Sequence, residues 1–360
     1  MARAIKLAWR GLYTTDPNPR VGCVLVKSGQ VIGEGWHCRA GGGHAEIEAL
    51  ASANQSTRDA TAYVTLEPCC HHGKTPPCTD ALIDAGISKV VVAMEDPNPK
   101  VAGNGLQLLE AAGIQVVRGV LAEDAEVLNP GFIKRMRTAR PWVCSKLAMS
   151  LDGRTALASG ESKWITGHFA RSDVHRLRAR SSAILTGIGT VLLDNPAMDV
   201  RLSDSTEVRQ PMRVVVDSQL RMSAESRMAS IPGTTIICTT SDDGRKRQQL
   251  EDVGFRVETL PASASNRVNL NALFAFLGSL EVNEVLVEAG RTLNGALIQA
   301  GLADELIVYV APCLLGERGR GLLDLGVIGR MSDRIQLKLL ESRQVEADLR
   351  LRYRLDASIG

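Results

Sequence analysis

Aromatic side chains are scarce in this chain of 360 residues: four Trp, four Tyr and five Phe amount to 4% of it. A channel that stacks single-stranded nucleic acid on successive rings needs more of them, set among basic residues. Charge of one sign is lacking too, with 42 basic against 40 acidic residues and a formal net charge of +2. No block of like charge stands out, so nucleic acid is not expected as a partner. Long apolar runs are missing: no window approaches the roughly 18 residues of a membrane span. The N-terminal stretch carries Arg3, Lys6 and Arg10, which interrupt any apolar signal core. The expectation is an enzyme of the cytoplasm, with no membrane partner. Repeats and low-complexity tracts are absent as well. The 44% hydrophobic content supports sizeable cores, and the length favours two domains.

What is present is a concentration of metal-binding chemistry. Gly43-His44-Ala45-Glu46 is followed by Glu67-Pro68-Cys69-Cys70 and then by Pro76-Pro77-Cys78. One imidazole (His44) and two thiolates (Cys69 and Cys78) can hold Zn²⁺ and leave a fourth position open, while Glu46 has the H-x-E spacing of a proton carrier that is not a ligand. Eight cysteines are present, and Cys23, Cys144, Cys238 and Cys313 read as small buried hydrophobes of a reducing compartment. Cys70 adjoins Cys69, and two neighbours rarely both reach one tetrahedral metal, so it is read as a non-ligand. The rival is a closed four-ligand structural site completed by His71 or His72, in which Glu46 would have no task.

The first part of the chain reads as α/β. A helix is expected over 4–12, strands over 21–27 and 31–35 flanking a Ser28-Gly29 turn, and a helix over 44–53. His44 and Glu46 then lie at the positive end of that helix, where the dipole favours an ionised carboxylate. Further strands are expected at 62–66, 89–94 and 116–120, with helices at 79–85, 106–112 and 123–137; the apolar run 89–94 suits a sheet covered on both faces. A boundary is placed at 139–141, where Pro141 makes a stop. Beyond it, strands at 142–148, 183–186, 212–217, 234–239, 255–260, 285–288 and 306–311 alternate with helices at 168–179, 245–253, 270–280 and 293–300, and an antiparallel hairpin is expected over 335–341 and 348–355. Two strand–glycine–helix turns stand out, Gly187-Ile188-Gly189-Thr190-Val191-Leu192 and Glu288-Ala289-Gly290-Arg291-Thr292. The first lacks the third glycine of a dinucleotide fingerprint, and by spacing alone an anionic ligand and an ordinary βα loop are about equally good readings.

Two resemblances sharpen this. The order His-x-Glu, Pro-Cys, Cys is that of the cytidine-deaminase superfamily. The stretched form Glu67-Pro68-Cys69-Cys70-His71-His72-Gly73-Lys74-Thr75-Pro76-Pro77-Cys78, with Asp16-Pro17-Asn18-Pro19-Arg20-Val21-Gly22 upstream, resembles the pyrimidine deaminases of riboflavin biosynthesis. Lys146-Leu147-Ala148-Met149-Ser150-Leu151-Asp152-Gly153-Arg154, Ser162-Lys163-Trp164-Ile165-Thr166-Gly167, the run from Thr186 to Pro196 and the Glu288-Ala289-Gly290 turn are similar to the NADPH-using reductases of that pathway, which have a dihydrofolate-reductase-like fold. Ser182 departs from the Asp that those relatives often carry.

The resemblance implies a bifunctional enzyme: a cytidine-deaminase-like α/β/α sandwich over 1–140, a zinc-dependent pyrimidine deaminase, joined to an NADPH-dependent reductase domain over 141–360. The first would hydrolyse the 2-amino group of 2,5-diamino-6-(5-phosphoribosylamino)pyrimidin-4(3H)-one. The second would reduce the ribosyl group of 5-amino-6-(5-phosphoribosylamino)uracil to ribityl. One zinc ion at His44, Cys69 and Cys78, with Glu46 catalytic, serves the first step. Asn18 would read the polar edge of the phosphorylated pyrimidine, and His71 and Lys74 sit on a loop that could meet its phosphate or simply be solvated. By the same resemblance NADPH contacts fall on Ala148, Trp164, Thr190, Asp194, Ser218 and the turn Gly290, Arg291, Thr292, Leu293, Asn294, Gly295 and Ala296. Substrate contacts fall on Ser162, Arg178, Met198, Arg201 and Glu288, the two arginines suiting a phosphate dianion. Assembly as a homo-oligomer is expected.

Overall fold

The computed structural model describes residues 1–71, 76–99, 101–202 and 207–355, in two compact units, Met1–Arg140 and Pro141–Gly360. The first unit holds strands β1 (Gly22–Lys27), β2 (Gln30–Trp36), β3 (Thr61–Val64), β4 (Lys89–Val92) and β5 (Gln115–Val117), and helices α1 (Ala2–Ala8), α2 (Ala45–Ala51), α3 (Cys78–Asp84), α4 (Asn104–Ala111), α5 (Ala122–Glu126) and α6 (Pro130–Thr138). The sheet order is β2-β1-β3-β4-β5. Strands β2, β1 and β3 run antiparallel, and β3, β4 and β5 run parallel.

Local chemistry explains the hairpin. Lys27 pairs with Gln30, leaving a two-residue turn in which Ser28 and Gly29 both take positive φ, 50° and 78°. That left-handed pair matches the twist of the flanking strands. Successive residues of β1 then point to opposite faces: Cys23 and Leu25 pack with Ala45, Ala49, Leu82 and Leu106, and Val24 packs with Ala4 and Leu7 of α1. Helices thus cover both faces, as an α/β/α arrangement requires. Helix α2 sits unusually close to β2, because a Cβ on Gly33 or Gly35 would collide with the backbone of Ala45 or Ala49. The single helix expected over 123–137 is instead two, α5 and α6. Pro130 opens α6, where its missing N–H costs nothing but where it cannot continue the preceding helix.

The second unit holds β6 (Trp142–Ser150), β7 (Arg154–Ala156), α7 (His168–Arg180), β8 (Ala183–Gly187), α8 (Ile188–Asp194), β9 (Met212–Val216), β10 (Thr235–Thr239), α9 (Gly244–Glu251), β11 (Arg256–Thr259), α10 (Leu270–Ser279), β12 (Glu284–Val287), α11 (Arg291–Gln299), β13 (Glu305–Ala311), β14 (Arg320–Gly321), β15 (Leu337–Val345) and β16 (Asp348–Leu355). Nine strands form one sheet in the order β11-β10-β9-β8-β12-β6-β13-β16-β15. It is parallel from β11 to β13, and the hairpin β15–β16 adds antiparallel to β13. All seven residues of β13 are buried. Helices α10 and α11 cover one face through Leu273, Phe274 and Leu297. On the other face lie α8 and α9, through Val191 and Leu250, and α7, through Val174 and Leu177. Each such side chain contributes roughly 1.5–3 kcal/mol by leaving water. The short pair β7–β14, three and two residues long, carries no periodic pattern that the sequence could reveal. Among the described residues no helix is long and apolar enough to cross a membrane.

Candidate active sites

In the first unit, His44 is the N-cap of α2 and Cys78 the first residue of α3, so two helix starts deliver two donors to one point. His44 Nδ1 lies 3.2 Å from Cys78 Sγ and 3.4 Å from Cys69 Sγ. Ligand atoms at ordinary Zn–N and Zn–S lengths on one tetrahedral ion stand about 3.6 Å apart. The chemistry and spacing of this donor set fit zinc, and among the described residues these three form the cluster able to hold a metal. Cys70 and His71 are outside it; His72 and Lys74 lie outside the described residues. The Cys78 thiol hydrogen-bonds Cys69 and favours the thiolate there, which His44 beside it supports. The Cys78 amide also donates to Cys69 Sγ at 3.4 Å.

Glu46 is 3% exposed. Burial pushes its carboxyl up to about 7, against its own backbone amide and the nearby His44 charge. The expectation that the helix dipole would keep it ionised is therefore outweighed by desolvation, which costs more than a helix terminus returns. A carboxyl that titrates near neutrality beside the donor set can both take and give a proton.

Asn18 is linked to this cluster through His37, whose ring centroid stands 5.5 Å from that of His44. His37 Nδ1 lies 2.9 Å from the Gly43 carbonyl oxygen and must donate to it, because the carbonyl can only accept. Burial pushes His37 below its ordinary value, so the ring is neutral and its Nε2 accepts from Asn18 Nδ2 at 3.1 Å. Asn18 Oδ1 is thereby turned away from His37 as an acceptor. Sequence reasoning missed His37, although its place between the Asn18 and His44 motifs was a signal.

In the second unit, both glycine turns open into one cavity of about 1640 Å³, larger than the 300–1,000 Å³ typical of a single small ligand. Thr190 and Asp194 line it from α8. Ala148 comes from β6, Ser218 from the loop that follows β9, Ser162 from the loop after β7, and Glu288, Gly290, Arg291, Thr292, Leu293 and Ala296 from the second turn and the start of α11. Asn294 and Gly295 are not in the wall. Asn294 braces the turn by donating to the Ala289 and Gly290 carbonyls, and Gly295 lets α11 press on the backbone of Asp324. Trp164 is 72% exposed and stacks under the Arg171 guanidinium at 4.6 Å. The mixed polar and apolar walls, paired glycine turns and volume fit a dinucleotide with a second ligand beside it.

Arg178, Met198 and Arg201 are not cavity walls. Met198 is buried in the core under α8. Arg201 is exposed, its Nε 3.4 Å from Asp199 Oδ1. Arg178 is held against Glu288 and the Asp199 carbonyl. Burial opposes ionisation of Glu288, but the Arg178 charge and hydrogen bonds prevail and hold the carboxyl down at about 2. Lys146 was also missed: it lines the cavity from β6, and burial pushes its ammonium below its ordinary value although Glu288 opposes this. A lone cation in a strand of otherwise apolar and small residues was the available signal.

Known proteins place these features. Residues 1–94 match the cytidine and deoxycytidylate deaminase zinc-binding region, and residues 141–351 match the RibD C-terminal domain. The riboflavin biosynthesis protein RibD of Escherichia coli is 51% identical, over 97% of this chain and 96% of the relative. That of Haemophilus influenzae is 47% identical, over 98% and 96%. A solved RibD structure from Acinetobacter baumannii superposes with a TM-score of 0.92 at 46% identity, covering 99% of this chain and 97% of that one. A deaminase/reductase structure from Thermotoga maritima gives 0.87 at 36%, with the same coverage. The chain belongs to the RibD family, the bifunctional deaminase–reductases of riboflavin biosynthesis.

Proposed function

We propose that residues 1–140 deaminate the diaminopyrimidinone 5-phosphoribosylamine and that residues 141–360 reduce the ribosyl group of the resulting aminouracil with NADPH. The observation that carries this reading is the convergence of His44, Cys69 and Cys78 with Glu46 buried beside them. Zinc held by those three side chains would lower the pKa of a water so that it attacks at neutral pH. Glu46 accepts one proton of the water and passes it to the ring nitrogen, then carries the second, from the hydroxyl now on the attacked carbon, to the departing amine, so that the C=O forms, the C–N bond breaks and ammonia leaves. Asn18, its amide oriented by His37, offers Oδ1 to an N–H on the pyrimidine edge.

In the second unit NADPH, which supplies the hydride when bound, would be held along the two glycine turns by Thr190, Asp194, Ser218 and the start of α11, with Ala148 in the β6 wall and exposed Trp164 between the lining residues Lys163 and Ile165. Ser162 and Glu288 face the substrate. The Nε and Nη2 donors of Arg178 are directed at Glu288, so its part is to keep that carboxylate ionised and aimed; Arg201, with its guanidinium exposed, takes the phosphate, and Met198 shapes the loop behind it. Cytoplasmic placement and homo-oligomeric assembly complete the reading. Eight free cysteines suit a reducing compartment, and exposed Leu339 and Leu340 on the edge strand β15 offer a surface for a second copy.

Purified protein incubated with the diaminopyrimidinone phosphate, with and without NADPH, tests the reading. Ammonia release should need no NADPH, and NADPH oxidation should need the deaminated product. NADPH consumption without prior ammonia release would overturn the order, and neither activity would overturn the function.

A further inference from the structure

Glu67 ends the segment after β3 and stands two residues before Cys69. A carboxylate there would ordinarily turn to water, yet Glu67 is 4% exposed. Its oxygens accept four backbone N–H groups: Oε2 those of Asp96 at 3.0 Å and Gly103 at 2.9 Å, and Oε1 those of Gly105 at 2.9 Å and Leu106 at 3.4 Å. Asp96 lies within the connection between β4 and α4, Gly103 is its last residue, and Gly105 and Leu106 are the second and third residues of α4. One side chain thus ties two points of that connection together and satisfies amides that the helix start leaves unpaired. Charge-assisted bonds of this kind are about twice as strong as neutral ones.

A second observation is independent of the carboxylate. A Cβ on Gly105 would collide with the Pro68 carbonyl oxygen and lie 3.1 Å from Glu67 Oε1, so only glycine lets the start of α4 press onto the Glu67-Pro68 turn. Beyond Pro68, Cys69 is tied to α3 instead: its carbonyl accepts from Thr79 N at 3.2 Å and its Sγ from Cys78 N. Cys69 therefore hangs between two helix starts, held directly by one and through Glu67 and Pro68 by the other.

We infer that Glu67 is a positioning residue for Cys69: it latches the β4–α4 connection and the start of α4 to the Pro68-Cys69 turn, and so sets where the Cys69 sulfur meets the other metal donors. The inference rests on the reading of Cys69 as a ligand. Glu67→Gln keeps the shape but puts an NH₂ where two amides need an acceptor. Gly105→Ala keeps the carboxylate and pushes the turn away.

The full chain, loaded with Co²⁺ as a spectroscopic probe, should show displaced thiolate-to-cobalt and ligand-field bands in both variants. Zinc affinity, measured by chelator competition, should fall about 10- to 100-fold, the usual range for outer-shell partners of a metal site. Amide exchange at Asp96, Gly103, Gly105 and Leu106 should accelerate in Glu67→Gln. NADPH oxidation with supplied aminouracil phosphate should continue, which shows that the second unit is folded, and a cooperative thermal transition of the first unit shows the same for the unit that carries the substitutions. A lowered melting temperature with cobalt spectrum and zinc affinity of the parent protein would reduce Glu67 to a structural residue and overturn the inference. If the parent protein shows no thiolate–cobalt band, the metal reading fails by itself; exchange at the four amides then decides the latch, and unchanged exchange overturns it.

Discussion

Arg178 grips Glu288 with two parallel hydrogen bonds, Nε to Oε1 at 2.5 Å and Nη2 to Oε2 at 2.9 Å, from positions 110 residues apart. Both side chains are largely buried, at 14% and 15% exposure. The pair stands where the cavity wall meets α7, so the charge that the cavity presents is the carboxylate and not the guanidinium.

That pair makes the second unit acid-sensitive. Against its burial, Arg178 lowers the Glu288 carboxyl from 4.5 to about 2 on folding. A depressed carboxyl contributes stability that is fully present above its unfolded value and is lost as pH falls through its folded value. Acid unfolding followed by circular dichroism should therefore steepen between about pH 5 and pH 2, and Glu288→Gln should flatten that stretch of the curve. Arg178→Ala, which strands a buried charge, should cost about 3–5 kcal/mol at neutral pH.

Glu46→Gln should keep zinc and abolish ammonia release, with a loss of about 10²-fold or more expected for a general acid–base group. Reduction of supplied aminouracil phosphate should continue at the parent rate. Near-normal ammonia release would refute the role of Glu46.

Cys78→Ser should lose zinc and Cys70→Ser should retain it, because only Cys78 places its sulfur in the donor cluster. Metal analysis of the two purified variants decides. Equal loss from both would mean that the cluster is not the binding set.

Arg201→Ala should raise the substrate KM about 10- to 150-fold, the equivalent of removing one charge-assisted contact of roughly 1.5–3 kcal/mol. NADPH affinity, titrated by fluorescence, should change little. The opposite pattern would place Arg201 on the cofactor.

Gly35→Ala would set a methyl group against the backbone of Ala45 and Ala49 and force α2 away from β2. Overpacking of this kind costs about 1–3 kcal/mol, and because His44 caps α2, zinc affinity should fall with stability. A destabilised protein that binds zinc as before would show that α2 does not set the ligand geometry.

Much of this was written in the sequence by itself. The Ser28-Gly29 turn, the alternation of β1 and the apolar runs of β4 and β13 encode strand and turn through backbone preference and side-chain period, which are local properties. The donor types of the metal cluster were equally legible, since thiolate and imidazole chemistry belongs to the residue. Pro130 splitting α5 from α6 was legible too, but was overlooked. Only the tertiary structure could bring His44 within bonding reach of sulfurs 25 and 34 residues away, fold two separate glycine turns into one cavity and commit Arg178 to Glu288. It also decided the state of Glu46, where local sequence put the carboxylate at a favourable helix end and distant chain packed over it. Periodicity and residue chemistry act over a few positions, whereas desolvation and charge pairing depend on what the rest of the chain places across the gap, and those terms set the protonation of the site.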